Sequence, residues 1–365
     1  MVPSMDPKHT IEQYLRQAWD VGATDIIISA TLPPHMRRGG TLEPMEWTEA
    51  LSPEETDLLA KSLLSPALRE VFEREKDVDF SWSWGDQARV RGSAYTQQGH
   101  TSIALRIIPS KIKSMADLGL PEIMYEISQY SKGFVLVCGP TGSGKSTTLA
   151  AIINEINVRG GAHILTIEDP VEYVHLPKGC VVSQREVGTD TPSFKRALRS
   201  ALREDPDILL VGEMRDNESI EIALTMAETG HLVFGTLHTN DAPSAIDRVV
   251  DTFPAEEQSQ IRVQLAGSLS AVVAQRLIPK IGGGLVATYE ILIANHAVRA
   301  QIREGRTSQL PNIMMTSANQ GMILMERHLF GLVNTGVVTA ETALSVAPRP
   351  DDLQQQLRSA GLDGH

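Results

Sequence analysis

Cysteine is almost missing from this chain: 365 residues contain two, Cys138 and Cys180, far apart and without CxxC spacing. That excludes a thiolate zinc site and a disulfide framework, and it fits a reducing cytosol. Cys138 lies in an apolar run and is expected to be a buried strand residue. Missing too is any apolar run of the roughly 18 residues that span a bilayer. The first residues, Met-Val-Pro-Ser-Met-Asp, have no basic segment leading into a hydrophobic one. The expectation is a soluble, unexported, cytoplasmic chain whose membrane association runs through a protein partner. Basic charge is in deficit, with 33 Lys and Arg against 45 Asp and Glu and a formal net charge of −12. The sequence-independent attraction that a basic surface offers nucleic acid is absent overall, so no nucleic-acid partner is expected. The rest of the composition, 42% hydrophobic and 21% charged, is that of an ordinary chain long enough for two domains with real cores.

What is present centres on residues 134–147, Phe-Val-Leu-Val-Cys-Gly-Pro-Thr-Gly-Ser-Gly-Lys-Ser-Thr. The apolar run from Phe134 to Cys138 suits a buried parallel strand, and Gly139-Pro140 ends it. Gly139, Gly144, Lys145 and Ser146 match G-x-x-x-x-G-K-[ST]. In that pattern the loop, here Gly139, Pro140, Thr141, Gly142, Ser143 and Gly144 running into Lys145, Ser146 and Thr147, wraps a phosphate, and its backbone N–H groups other than that of proline point at it. The lysine reaches the β/γ oxygens and the serine hydroxyl meets Mg²⁺. ATP and Mg²⁺ are therefore the expected ligands. Leu149, Ile152, Ile153 and Ile156 recur at helical spacing after the loop, and Gly160-Gly161 closes that helix.

Upstream the pattern differs. Ile11, Leu15, Ala18 and Trp19 predict a helix closed by Gly22, followed by a strand over 25–29. Ser52-Pro53-Glu54-Glu55 reads as an N-cap with proline at the first helical position. The period then drops to two: Val78, Phe80, Trp82 and Trp84 alternate with polar residues, and strand-like runs follow at 88–95 and 101–108. These features predict an α+β domain on an antiparallel sheet over residues 1–108, a proline-bounded linker over 109–121, and a second domain over 122–365. Arg89 and Arg91 share one face of their strand and Arg106 sits on the next; strand arginines ordinarily face solvent.

In the second domain apolar runs at 164–167, 208–211 and 232–237 alternate with helical segments near 193–204 and 218–228, which predicts a parallel sheet. Ligand chemistry in such a sheet gathers beyond the carboxyl ends of the strands. There the chain places Glu168, with Asp169 and Glu172 close behind, then Glu213 and His238. Glu213, after Asp207-Ile-Leu-Leu-Val-Gly, has the place of a residue that meets Mg²⁺ and orients the attacking water. Clustered carboxylates at the end of the run ending in Glu168 need a cation, and Mg²⁺ or its waters would supply one. A lone histidine is usually structural, which applies to His231 and, without further context, to His238.

Four segments taken together resemble the type II/IV secretion ATPase family: Gly-Pro-Thr-Gly-Ser-Gly-Lys-Ser-Thr at 139–147, Ile-Glu-Asp-Pro-Val-Glu-Tyr at 167–173, Ala-Leu-Arg-Glu-Asp-Pro-Asp-Ile-Leu-Leu-Val-Gly-Glu-Met-Arg-Asp at 201–216, and Gly-His-Leu-Val-Phe-Gly-Thr-Leu-His-Thr at 230–239. They look like its Walker A, Asp, Walker B and His boxes. Glu-Met-Arg-Asp at 213–216 and Ala-Val-Arg-Ala-Gln-Ile-Arg-Glu at 297–304 resemble the type IV pilus retraction branch. The resemblance implies a PAS-like domain before a RecA-like P-loop ATPase domain, a homohexameric ring, and ATP-driven work on an inner-membrane platform protein at the pilus base, with a paralogous ATPase as a further partner. It also implies that Arg91 and Arg106, with Arg89 beside them, approach the γ-phosphate. Departures are Asp25-Ile-Ile-Ile, where the family carries a histidine, and Ala300 and Gln301 within the retraction motif. An accessory paralogue, an assembly or secretion ATPase, a non-hydrolysing nucleotide switch and a nucleic-acid motor are the competing readings. The tail from Gln301 is expected to be helical, with Met314, Met315, Met322 and Met325 available for packing.

Overall fold

Each change of hydrophobic period along the chain is a change of element. The computed structural model describes residues 7–38, 41–214 and 216–362, with side chains from residue 10 onward. Arg215, in the Glu-Met-Arg-Asp segment, and the final residues 363–365 lie outside the described residues. Two compact units result, Met1–Lys111 with Glu172–Val174, and Ile112–Val171 with His175–His365. The second takes in residues 112–121 of the expected linker, because Met115 and Leu120 are buried in its core.

In the first unit the strands are β1 (Asp25–Ile28), β2 (His35–Arg38), β3 (Thr41–Pro44), β4 (Asp77–Trp84), β5 (Ala88–Gln97) and β6 (His100–Pro109). They form an antiparallel sheet ordered β3-β2-β1-β6-β5-β4. Alternation in β4 buries Val78, Phe80 and Trp84 against Ile11, Leu15 and Ala18 of the helix Pro7–Asp20. The Trp84 indole donates to Glu12 Oε2 at 2.8 Å, so that its buried N–H is satisfied. Ser52 caps the helix Pro53–Leu63 reciprocally: Glu55 N–H donates to Ser52 Oγ at 3.2 Å and Ser52 N–H to Glu55 Oε2 at 2.7 Å.

The second unit adds β7 (Gly133–Cys138), β8 (His163–Glu168), β9 (Val181–Glu186), β10 (Ile208–Val211), β11 (Leu232–Leu237), β12 (Leu269–Pro279) and β13 (Leu285–Ile293), ordered β13-β12-β7-β11-β10-β8-β9. All pairs are parallel except β12 with β13. The run at β7 is apolar throughout because both faces are covered. Phe134, Leu136 and Cys138 join one core, and Val135 and Val137 join the other, where Leu149, Ile152, Ile153 and Ile156 of the helix Lys145–Arg159 pack. The tail folds as five α-helices and two short 3₁₀ helices from His296 to Ser359, with Met314, Met322 and Met325 buried and Met315 exposed. No helix among the described residues is long and apolar enough to cross a membrane.

His175 is buried beside β9, with its N–H donating to Gln184 Oε1 at 2.7 Å. Burial, aided by the Lys178 charge, lowers its pKa to about 4. An unfolded histidine protonates near pH 6.5, so this neutral side chain contributes stability above that value and loses it as pH falls toward 4. Between pH 7 and pH 5 the protein should lose about 2 kcal/mol more stability than its His175→Gln variant. Chemical denaturation at the two pH values measures the difference; equal losses would contradict the assignment.

Candidate active site

Parallel pairing brings four strand ends to one edge. In register, Cys138 at the end of β7 faces Leu237 at the end of β11. Val211 at the end of β10 pairs with Gly235 of β11 and with Ile167, one residue before Glu168 at the end of β8. The glycine loop, His238, Glu213 and Glu168 therefore leave the sheet side by side, in that order.

The loop is shaped by contacts with the neighbouring strand. Gly139 sits at φ +148°, and a Cβ there would lie 2.2 Å from the main-chain oxygen of Gln275 on β12, so no other residue fits. Gln275, 2% exposed, then holds the loop with its amide: Nε2 donates to the Ser143 carbonyl at 2.8 Å, and Oε1 accepts from Thr148 Oγ1 at 2.8 Å. One buried side chain thus ties the loop to the first turn of its helix. Sequence reasoning missed it; the signal was a lone amide inside the apolar run 269–278. The Lys145 ammonium donates to the Gly139 carbonyl at 2.7 Å and the Pro140 carbonyl at 3.1 Å, which keeps the charge over the loop.

Glu213 is fixed through both neighbours. Gly212 N–H donates to the Ile167 carbonyl at 2.8 Å, Met214 N–H donates to the Thr236 carbonyl at 3.2 Å, and the Thr236 hydroxyl donates to the Gly212 carbonyl. A Cβ on Gly212 would press on Ile167 O at 3.1 Å and Glu168 Cα at 3.2 Å, so glycine lets the strand end lie close to Glu168. His238 Nε2 is 3.1 Å from Glu213 Oε1, with the side chains 48% and 24% exposed. Glu168 Oε1 accepts from Thr166 Oγ1 at 2.7 Å and from Gln184 Nε2 at 3.2 Å, which orients the carboxylate. Ser146, Glu168 and Glu213 carry hydroxyl and carboxylate oxygens, the donor type that suits Mg²⁺. Among the described residues no group of three His, Cys, Asp or Glu converges as a metal cage. Mg²⁺ typically takes one or two carboxylates, several waters and substrate phosphates, and this set fits that pattern.

Other sequence candidates lie elsewhere. Asp207 stands before the amino end of β10, where its Oδ2 accepts from His163 N–H at 2.8 Å and its carbonyl accepts from Leu232 N–H at 3.0 Å. It is a clasp between strands at the opposite edge. His231, before β11, has Nδ1 2.9 Å from the Met226 carbonyl and is structural as well. Within the first unit Arg91 and Arg106 are direct cross-strand partners on β5 and β6. Like charges so placed repel, and Arg106 Nε donates to Asp25 Oδ1 at 2.8 Å. Asp25, Asp79, Arg91 and Arg106 line one cleft of about 220 Å³. Arg89 Nη2 donates to Ser81 Oγ at 2.7 Å. Arg299 of the 297–304 segment donates to the Gly267 carbonyl at 2.8 Å and the Ala294 carbonyl at 2.9 Å, capping the helix Gln258–Ser268.

A family model for type II/IV secretion system proteins matches residues 77–332. The chain belongs to that family. Among secretion-family relatives, the type IV pilus retraction ATPase PilT of Pseudomonas aeruginosa is 47% identical over 331 residues, 91% of this chain and 96% of its own. The type IV pilus ATPase PilU of the same organism is 38% identical over 348 residues, 95% of this chain and 91% of its own. A crystal structure of the pilus retraction motor PilT with bound ADP superposes with a TM-score of 0.89 at 44% identity, covering 94% of this chain and 99% of that one.

Removing both Gln275 bonds leaves the Ser143 carbonyl and the Thr148 hydroxyl without these partners, at a cost of about 1–3 kcal/mol for each buried group. Gln275→Ala should therefore weaken ADP binding by about tenfold or more while the folded sheet persists. Titration with fluorescent ADP, alongside circular dichroism, checks this; unchanged affinity would remove Gln275 from the loop's support.

Proposed function

We propose that this chain is a Mg²⁺-dependent ATPase motor of type IV pilus retraction, acting as a homohexamer in twitching motility. The observation that carries the reading is the shared edge at which the glycine loop, His238, Glu213 and Glu168 leave adjacent strands. In this reading the second unit is a RecA-like ATPase domain and the first a PAS-like domain. The ADP bound to the PilT neighbour supports nucleotide as the ligand. The higher identity to PilT than to PilU, 47% against 38%, favours retraction over an accessory role. Ala300 and Gln301, where the retraction branch differs, are the observation that keeps the accessory reading in play.

The loop residues 139–144, with Lys145, Ser146 and Thr147, hold the triphosphate; Lys145 balances charge on its β and γ oxygens. Ser146, Glu168 and Glu213 hold Mg²⁺ directly or through water, and the ion neutralises phosphate charge when bound. Glu213 accepts a hydrogen bond from the attacking water and points its oxygen at the γ-phosphorus. As that oxygen bonds to phosphorus, the bond to the β–γ bridging oxygen breaks. ADP leaves, and the water proton passes to Glu213 or to the phosphate product. His238, against Glu213, holds that carboxylate in place and meets the γ-phosphate. Arg91 and Arg106, with Arg89 beside them, offset charge on the transferring group, an effect worth roughly 10³ to 10⁵ in rate where such arginines act. Asp25 competes with phosphate for Arg106, so nucleotide engagement would exchange one anion for another. The partners are further copies of the chain, a paralogous ATPase and a platform protein in the inner membrane. The chain is placed in the cytoplasm at that membrane's inner face through the platform protein, and no nucleic acid is involved.

Glu213→Gln should lower turnover about a hundred- to ten-thousandfold while ATP still binds; equal turnover would remove Glu213 from its role and favour a nucleotide switch. Deleting the gene should leave excess surface pili that do not retract, counted by electron microscopy. Loss of pili would instead assign the chain to assembly.

A further inference from the structure

A buried carboxylate two strands from the glycine loop has no part in the reading above. Glu290 on β13 is 2% exposed and pairs with Ala274, which in turn pairs with Cys138, the residue before the loop. It therefore lies level with the edge where the candidate site forms. Its Oε1 accepts from Ala242 N–H at 2.9 Å. Ala242 opens the helix Ala242–Asp251, and a first-turn N–H has no partner inside its own helix. That helix follows His238 after three residues, Thr239, Asn240 and Asp241. The same short stretch is held by Cys138 Sγ at 3.8 Å from the Asp241 carbonyl, and by Ser244 N–H donating to Asp241 Oδ1 at 2.8 Å.

Glu290 is itself held from the tail. Arg349, just before the helix Pro350–Ser359, lies 3.7 Å from Glu290 Oε2. Its guanidinium also donates to Glu326 Oε2, and its N–H donates to Glu326 Oε1 at 2.9 Å. Glu326 is a buried residue of the helix Met325–Asn334. The result is a continuous polar path through the apolar interior, from the last helices to β13 and on to the turn after His238. Burial pushes the Glu290 carboxyl up to about 7, against the pull of the Ala242 N–H and Arg349. Breaking a buried charged network by removing one member is expensive, so its members hold one another in place.

We propose that Glu290 is a positioning residue for His238: it anchors the first turn of the helix after the strand end, and Arg349 holds it there on behalf of the C-terminal helices. The packing of the tail is thereby felt at the His238–Glu213 pair, which rests on the proposed hydrolytic role of His238. Gln275 ties the glycine loop through bonds of its own, so the anchor acts chiefly on turnover.

Hydrogen exchange over residues 238–244 and steady-state ATPase kinetics test this in Glu290→Ala, Glu290→Gln, His238→Ala and the Glu290→Ala/His238→Ala pair. Glu290→Ala should speed exchange in that stretch and lower kcat about tenfold with KM for ATP unchanged, the loss of one buried hydrogen bond. Glu290→Gln, whose amide oxygen still accepts from Ala242 but which carries no charge for Arg349, should be less impaired than Glu290→Ala in both. In the His238→Ala background the Glu290→Ala change should cost nothing further in kcat. Unchanged exchange in Glu290→Ala, an equal kcat loss in both backgrounds, or a Glu290→Gln variant as impaired as Glu290→Ala would overturn the proposal. His238→Ala with wild-type kcat would defeat the hydrolytic role of His238, and with it the kinetic consequence, while exchange would still report on the anchor. If Glu290→Ala fails to fold, Glu290→Met keeps the volume without the acceptor and is read in the same way.

Discussion

Everything at the candidate site hangs on backbone hydrogen bonding between parallel strands in fixed register. Because β7, β11, β10 and β8 run the same way and sit side by side, residues as far apart in sequence as Gly139 and His238 emerge on one edge. A slip of one residue in any strand would invert every side chain it carries and move its terminal group to the other face. The core forbids such a slip: β7 alternates strictly between two apolar layers, both fully buried. Packing on both faces thus fixes the position of chemistry at the strand ends.

Much of this was legible in the chain. The run 134–138 and the glycine loop announce a strand and a phosphate-binding bend because few other structures need that order of residues. Glu168, Glu213 and His238 could be placed by their position alone, directly after apolar runs. The N-cap at Ser52 and the two-residue period of β4 were equally readable, since both are local. Gln275 and Glu290 were not. Each is a polar residue within a buried run, and its partner lies far away: 127 residues separate Thr148 from Gln275, and 48 separate Ala242 from Glu290. The β12–β13 hairpin that carries them joins the edge of the parallel sheet next to β7, a tertiary event with no local signature. Met115 and Leu120 show the same limit, since proline-bounded residues read as linker until a core is there to receive them. Asp207 shows the reverse, an acid that fits a motif by spacing and serves as a clasp at the far edge.

Charge is handled differently in the two units. In the first, Arg106 is held by Asp25 at the surface, with its side chain 65% exposed, a pairing that an incoming anion can exchange at little cost. In the second, Glu290 and Glu326 are buried around Arg349, where loss of any one member leaves the others uncompensated. The first arrangement suits groups that change partners and the second suits groups that must not move. The Glu213–His238 pair in the second unit is intermediate in character, partly open to solvent and fixed at the backbone, as a site that meets a substrate requires.

In the proposed reading the bend between β7 and its helix receives the phosphate tail of a nucleotide. The most direct measurement is equilibrium titration of the wild type and Lys145→Ala with fluorescent ADP in the presence of Mg²⁺. Saturable binding by the wild type, weakened about a hundredfold in the variant with its fold intact, is the result expected from losing a charged partner of phosphate. Equal affinity in the two proteins would contradict the claim.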